Sequence, residues 1–155
     1  GCLSEWIGKH QFTLLYSGKN DGYLPSEFNS RVGGRSSVLL LVLTKKGHLF
    51  GSYHSQIPCE QGIQRNDPSH FICTLKSPTL DQPKRYTNPS NIFHRVGGDE
   101  DTTLFDVFGG YSVYTNETVL VSSTFTTSYN ADCMELIGKC NCKSTVDDVL
   151  AFACE

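Results

Sequence analysis

The chain has 155 residues, long enough to bury roughly two-thirds of its unfolded surface in one domain, so residues 1–155 read as a single unit. Its apolar fraction is 38%, its charged fraction 19% and its formal charge −3. That balance argues against a dedicated nucleic-acid binder, which carries a basic excess. No apolar run approaches the ~20 residues that span a bilayer, so no membrane insertion is expected.

In chain order, the first element is an apolar strand around Phe12 to Tyr16 in "HQFTLLYSG". "SGKNDG" follows with turn chemistry, Asn and Gly tolerating positive φ. "LPSEFNSRVGG" reads as a short helix. Pro25 suits its first turn, and Leu24, Phe28 and Val32 form one stripe at four-residue spacing. Gly33 and Gly34 are expected to end it in the left-handed conformation.

"SSVLLLVLT" is too continuously apolar for a half-exposed strand and belongs in the middle of a sheet. "KKG" is a hairpin turn with Gly47 at its left-handed position, and "HLFGSYHS" returns as the partner strand. Gly51 inside that strand marks a bulge or a close backbone approach. "QIPCEQGIQRNDPS" and "KSPTLDQPKRYTNPSN" read as loops on either side of a strand "HFICTL". "IFHRV" is a further strand, and "GGDEDTT" is an acidic, solvated turn. "LFDVFGGYSVYTNETVLVSSTFTTSYN" is rich in Thr, Val, Tyr and Phe with a turn at "TNET". "VDDVLAFAC" closes the chain as an alternating strand. The expectation is a mainly β (α+β) fold, a two-sheet antiparallel β-sandwich with a few short peripheral helices.

No nucleophile elbow, P-loop, dinucleotide fingerprint, HExxH or EF-hand loop is present, so no catalytic residue, metal site or cofactor is assigned. His48 and His54 lie six apart and would share a face of an uninterrupted strand. The seven cysteines are an odd number at irregular spacing, a poor disulfide framework, so the compartment reads as reducing and the protein as intracellular and cytoplasmic, or nuclear. Cys140 and Cys142 form a C-x-C dithiol flanked by Lys139 and Lys143, a setting that lowers thiol pKa values and favours reaction with oxidant. Cys73 and Cys154 sit in apolar runs and read as core. Arg31, Arg35, Lys45 and Lys46 form a basic patch if the fold gathers them.

Several of these stretches together resemble the TLDc family. Leu14, Leu15 and Tyr16 fit its first strand, Asp21, Gly22 and Tyr23 its Asp-Gly-aromatic turn, and Phe28 its short helix. Gly47, Phe50, Gly51, Tyr53 and Ser55 fit its Gly-x-x-Phe-Gly-Gly-Tyr-x-Ser hairpin. Phe108, Gly109 and Gly110 resemble its glycine segment, and Asp148, Val149 and Phe152 its last strand. The chain departs from the family at Ile57-Pro58, where a Trp is usual, at Tyr111-Ser112 in place of His-Asp, and at Leu150 in place of an acid.

The resemblance implies a β-sandwich flanked by short helices and no catalytic site. It also implies a non-catalytic protein-interaction role in oxidative-stress resistance, with subunits of the vacuolar proton-pumping (V-type) ATPase as the partner. An exposed Tyr53 or His54, together with Asp148, is the candidate contact. Two other functions stay open: an oxidant-responsive DNA-binding regulator using the basic residues, and a thiol-based peroxide scavenger using Cys140 and Cys142.

Overall fold

The computed structural model describes residues 1–155. Five short helices accompany eleven strands, and every strand pairing is antiparallel. The strands are β1 (Phe12–Ser17), β2 (Ser36–Thr44), β3 (Leu49–Gln56), β4 (Gly62–Arg65), β5 (Phe71–Lys76), β6 (Lys84–Tyr86), β7 (Ile92–Arg95), β8 (Thr103–Val107), β9 (Tyr111–Tyr114), β10 (Thr118–Val121) and β11 (Lys143–Cys154). The helices are α1 (Cys2–Ile7), α2 (Gly18–Asp21), α3 (Pro25–Val32), α4 (Phe125–Ser128) and α5 (Met134–Ile137).

One sheet runs β1-β11-β2-β3-β5-β6, the other β4-β7-β8-β9-β10-β11. The last strand belongs to both. Lys143 to Thr145 pair with β10, and from Val146 onward β11 inserts between β2 and β1. A register shift between Val146 and Asp148 marks the crossing point. The expected β-sandwich is therefore the observed architecture. No helix is long and apolar enough to cross a membrane.

The apolar continuity of β2 has a direct cause. Val38, Leu40 and Val42 point between the sheets into a core of 26 buried residues. Leu39 and Leu41 point to the other face, into a cluster with Phe71 and Cys73. That outer face is covered by α1, whose Leu3, Trp6 and Ile7 pack on it, Trp6 meeting Phe71 edge-on at 5.7 Å between ring centres. Both faces of β2 are dry, so both need hydrophobes. Each fully buried Leu or Val side chain contributes about 1.5–3 kcal/mol over an exposed one.

The β2–β3 hairpin forms as expected, with Gly47 at φ 91°. A Cβ on Gly51 would collide with the backbone carbonyl of Leu40, which is the close approach read from its position inside a strand. Helix α3 begins at Pro25 and buries Phe28 and Val32, Phe28 stacking on Phe105 at 5.1 Å. Only Gly34 takes the left-handed conformation there, at φ 76°; Gly33 is extended.

Four sequence expectations change. Each of the two segments read as loops contains a strand, β4 and β6. "SGKNDG" folds as α2, closed by the Asp21 carboxylate accepting the Ser17 N–H at 3.0 Å. The acidic "GGDED" segment is not simply solvated. Asp99 accepts from the Ser26 N–H and hydroxyl, both at 2.8 Å, and so satisfies a free donor of the first turn of α3.

Candidate functional site

Two groups of polar side chains stand out, one inside the sandwich and one at the end where β11 crosses between sheets. The inner group grows from β3. Ser52 Oγ lies 2.7 Å from His54 Nε2 and 2.7 Å from the Tyr111 hydroxyl. Next to it His70 Nδ1 lies 2.9 Å from the Tyr53 carbonyl oxygen. A carbonyl only accepts, so Nδ1 carries the proton and donates. Nε2 of neutral His70 then accepts from the Tyr129 hydroxyl at 2.8 Å. The two imidazoles are 4.8 Å apart between ring centres.

All five of these polar side chains are buried. Burial drives the His54 pKa well below its ordinary value, with the neighbouring His70 adding to the effect. Burial likewise lowers His70 to about 4, against smaller opposing contributions from the Tyr53 carbonyl and Asp67. Both rings are neutral at pH 7. Ser52 and His54 have the spacing of a nucleophile and base, yet with Ser52 fully buried and His54 3% exposed they act as core hydrogen bonds.

The expected partner contacts Tyr53 and His54 are therefore interior residues. β3 is central in its sheet and both its faces are covered, so alternation sends one side chain into each dry layer. His54 faces the sandwich core, while Tyr53 stacks on Phe71 at 5.7 Å and hydrogen-bonds Ser37. His48 lies outside β3, half-exposed, and does not converge with His54.

Asp148 is half-buried at the crossing and already engaged. It accepts from the Ser17 hydroxyl at 3.1 Å, the Lys19 N–H at 3.0 Å and its neighbour Val149 N–H at 2.8 Å. It ties β1, α2 and β11 together. Asp147 faces outward instead. The Lys45 ammonium hydrogen-bonded to it holds its carboxyl below the usual range, with Lys19 adding to the effect.

The basic patch read from sequence does not assemble. Arg31 and Arg35 precede β2, and Lys45 and Lys46 follow it. Nine residues of strand separate the pairs by about 30 Å. Arg31 pairs with Asp21 at 3.4 Å and Glu27 at 3.6 Å, and Arg35 Nε donates to the Arg31 carbonyl. Lys45 and Lys46 meet different cations, Lys139 and Lys143, with His48 beside them. These five line a cleft of about 180 Å³. Lys45 also lines a second cleft of about 390 Å³ with Lys19, Tyr23, Leu24, Glu117 and Asp147.

The C-x-C dithiol does not form either. Cys140 is disulfide-bonded to Cys133, leaving Cys142 as an exposed free thiol. The bridge spans α5, whose Leu136 and Ile137 are buried in the main core. The strap is fastened further by Glu135, which accepts from the Tyr86 hydroxyl at 2.7 Å and Lys84 at 3.1 Å. Cys73 and Cys154 are buried as expected. Burial pushes the Cys73 thiol up to about 12 and the Cys154 thiol to about 11.

A two-sheet sandwich with a buried polar interior and charged clefts where its sheets join defines a β-rich scaffold domain. Its particular kind follows from the amino-acid sequence: residues 2–153 match the family model of the TLDc domain, and the chain belongs to that family. None of the curated proteins matches it.

Proposed function

We propose that this chain is a non-catalytic protein-interaction domain acting in oxidative-stress resistance, with subunits of the V-type ATPase as its partner. The observation that carries the reading is TLDc membership over residues 2–153. The placement of the titratable groups supports it. His54, His70, Ser52 and Tyr111 serve the packing of the sandwich, while Lys19, Lys45, Lys46, Lys139, Lys143, Glu117 and Asp147 line open clefts at the β11 crossing. A protein partner is engaged by such a surface through charge complementarity and shape.

The test is capture from cell extract on the immobilised domain, reduced and after peroxide, with bound proteins and nucleic acids identified. Recovery of proton-pump subunits is expected. Turnover of peroxide by the purified domain that stops on Cys142→Ser substitution would overturn the non-catalytic reading. Selective recovery of DNA would overturn the protein partner.

A further inference from the structure

We propose that Lys45, Lys46, His48, Lys139 and Lys143 form a docking cleft for an acidic segment of a partner polypeptide, one with clustered glutamate or aspartate side chains. The proposal rests on the interaction-domain reading and names the chemistry of the contact.

The charge distribution is the first argument. The chain has a formal charge of −3 and only 13 lysines and arginines, yet four lysines line one cleft of about 180 Å³. Its only apolar lining residue is Ile137; Thr44, Ser144 and Thr145 add hydroxyls. A site of this composition selects negative charge.

Compensation is the second. Lys45 is paired with Asp147 at 3.1 Å. The Lys143 ammonium lies 4.2 Å from the centre of the Tyr114 ring, which orients it without neutralising it. Neither Lys46 nor Lys139 has a carboxylate within 4.0 Å. The cleft therefore holds three ammonium groups that no protein carboxylate answers.

Rigidity is the third. One wall is the β2–β3 turn, closed by the Thr44 N–H to the His48 carbonyl at 2.9 Å and joined to β11 by the Lys45 N–H to the Thr145 carbonyl at 3.0 Å. The other wall is the strap after α5, which the Cys133–Cys140 disulfide holds against the core. Lysines mounted this way lose less backbone freedom on binding than lysines on a free loop.

The neighbouring surface favours a peptide over a nucleic acid. Lys45 also faces the second cleft, where Glu117 and Asp147 line the path and Leu24 is 50% exposed. A duplex would bring an unbroken row of phosphates to those two carboxylates. A peptide can place its acids in the lysine cleft and neutral residues in the next.

The test uses a fluorescein-labelled peptide with four consecutive glutamates between Gly-Ser flanks, and its glutamine counterpart, followed by fluorescence anisotropy on the whole chain. The glutamate peptide is expected to bind and to weaken about tenfold between about 50 and about 300 mM NaCl, the glutamine peptide not to bind. The double change Lys46→Gln/Lys139→Gln is expected to weaken binding about tenfold with an unchanged melting temperature. The control pair Lys9→Gln/Lys76→Gln is expected to leave it as it was. Equal binding of the two peptides, or indifference to Lys46→Gln/Lys139→Gln, would overturn the proposal. So would a DNA duplex of about 20 base pairs that displaces the peptide and shows the steeper salt dependence.

The extract capture repeated with Lys46→Gln/Lys139→Gln separates this proposal from the function it rests on. A partner held equally by wild type and variant overturns the cleft and leaves the interaction domain standing. Glutamate-peptide binding without any captured partner overturns the pump assignment and supports the cleft.

Discussion

The imidazole–hydroxyl group inside the sandwich and the lysine group at the β11 crossing use similar residue types for opposite ends. Inside, His54 and His70 give up their charge to stay dry, and every hydrogen bond points to another buried atom. At the crossing, Lys46 and Lys139 line an open cleft with no protein carboxylate within 4.0 Å. The lesson is that the histidine-bearing hairpin, the part of the sequence richest in candidate chemistry, is scaffold. The proposed contacts belong to lysines that sequence position scatters over about a hundred residues.

The contrast can be broken most severely from within. Tyr111→Ala removes a fully buried ring and the partner of Ser52, and about 4 kcal/mol of stability should be lost in urea unfolding. Tyr111→Phe keeps the ring and should cost about 1 kcal/mol, the share of the hydrogen bond alone.

Acid should act on the inner group. Both histidines have folded pKa values below the unfolded 6.5, so the unfolded chain binds more protons as pH falls beneath 6.5. Stability is then present above pH 6.5 and declines as pH falls beneath it, by about 2 kcal/mol for His70 between pH 6.5 and 5 and on towards pH 4, with His54 acting in the same direction. His70→Gln should make that slope shallower. A stability profile flat from pH 7 to 5 would show the two rings to be more accessible than their burial implies.

The disulfide is the mechanical link between core and cleft. Opening a loop with a sequence separation of 7 by Cys133→Ser should cost about 2 kcal/mol, with faster amide exchange at Leu136 and Ile137. The smallest effect belongs to the outer group. Lys46→Gln should leave the urea midpoint unmoved, since its ammonium has no partner to lose.

Much of the fold is legible in the sequence because its long strands have only one reading. β2 is too apolar for a one-sided strand, Gly51 inside β3 narrows its role to a bulge or a close approach, and Pro25, Phe28 and Val32 specify α3. The missed elements are short. β4 and β6 have four and three residues, too few for a period to show among prolines and charges. Helix α1 did carry a signal, with Leu3, Trp6 and Ile7 at helical spacing, though over only six residues. The site was hard to read for a different reason. Alternation says that Tyr53 and His54 face opposite ways, and cannot say that both ways are covered. Lys45 and Lys46 are visible as a pair, while their meeting with Lys139 and Lys143 depends on how β11 enters the sheet. The pairing of Cys140 with Cys133 rather than with Cys142 depends on the one turn of helix between them, which brings the Cα atoms to 5.8 Å.

The position of β11 also sets the order in which the molecule can be built. β1 pairs with no strand other than β11, matching Phe12 to Cys154 across almost the entire chain. A ribosome delivers β1 well before its partner β11. Until β11 emerges, β1 has no neighbour and the near edge of β2 stays open. Closure waits for contacts of very large sequence separation, the topology of slow, millisecond-to-second folders. A half-made molecule therefore presents bare strand edges, a state that holding chaperones are suited to cover.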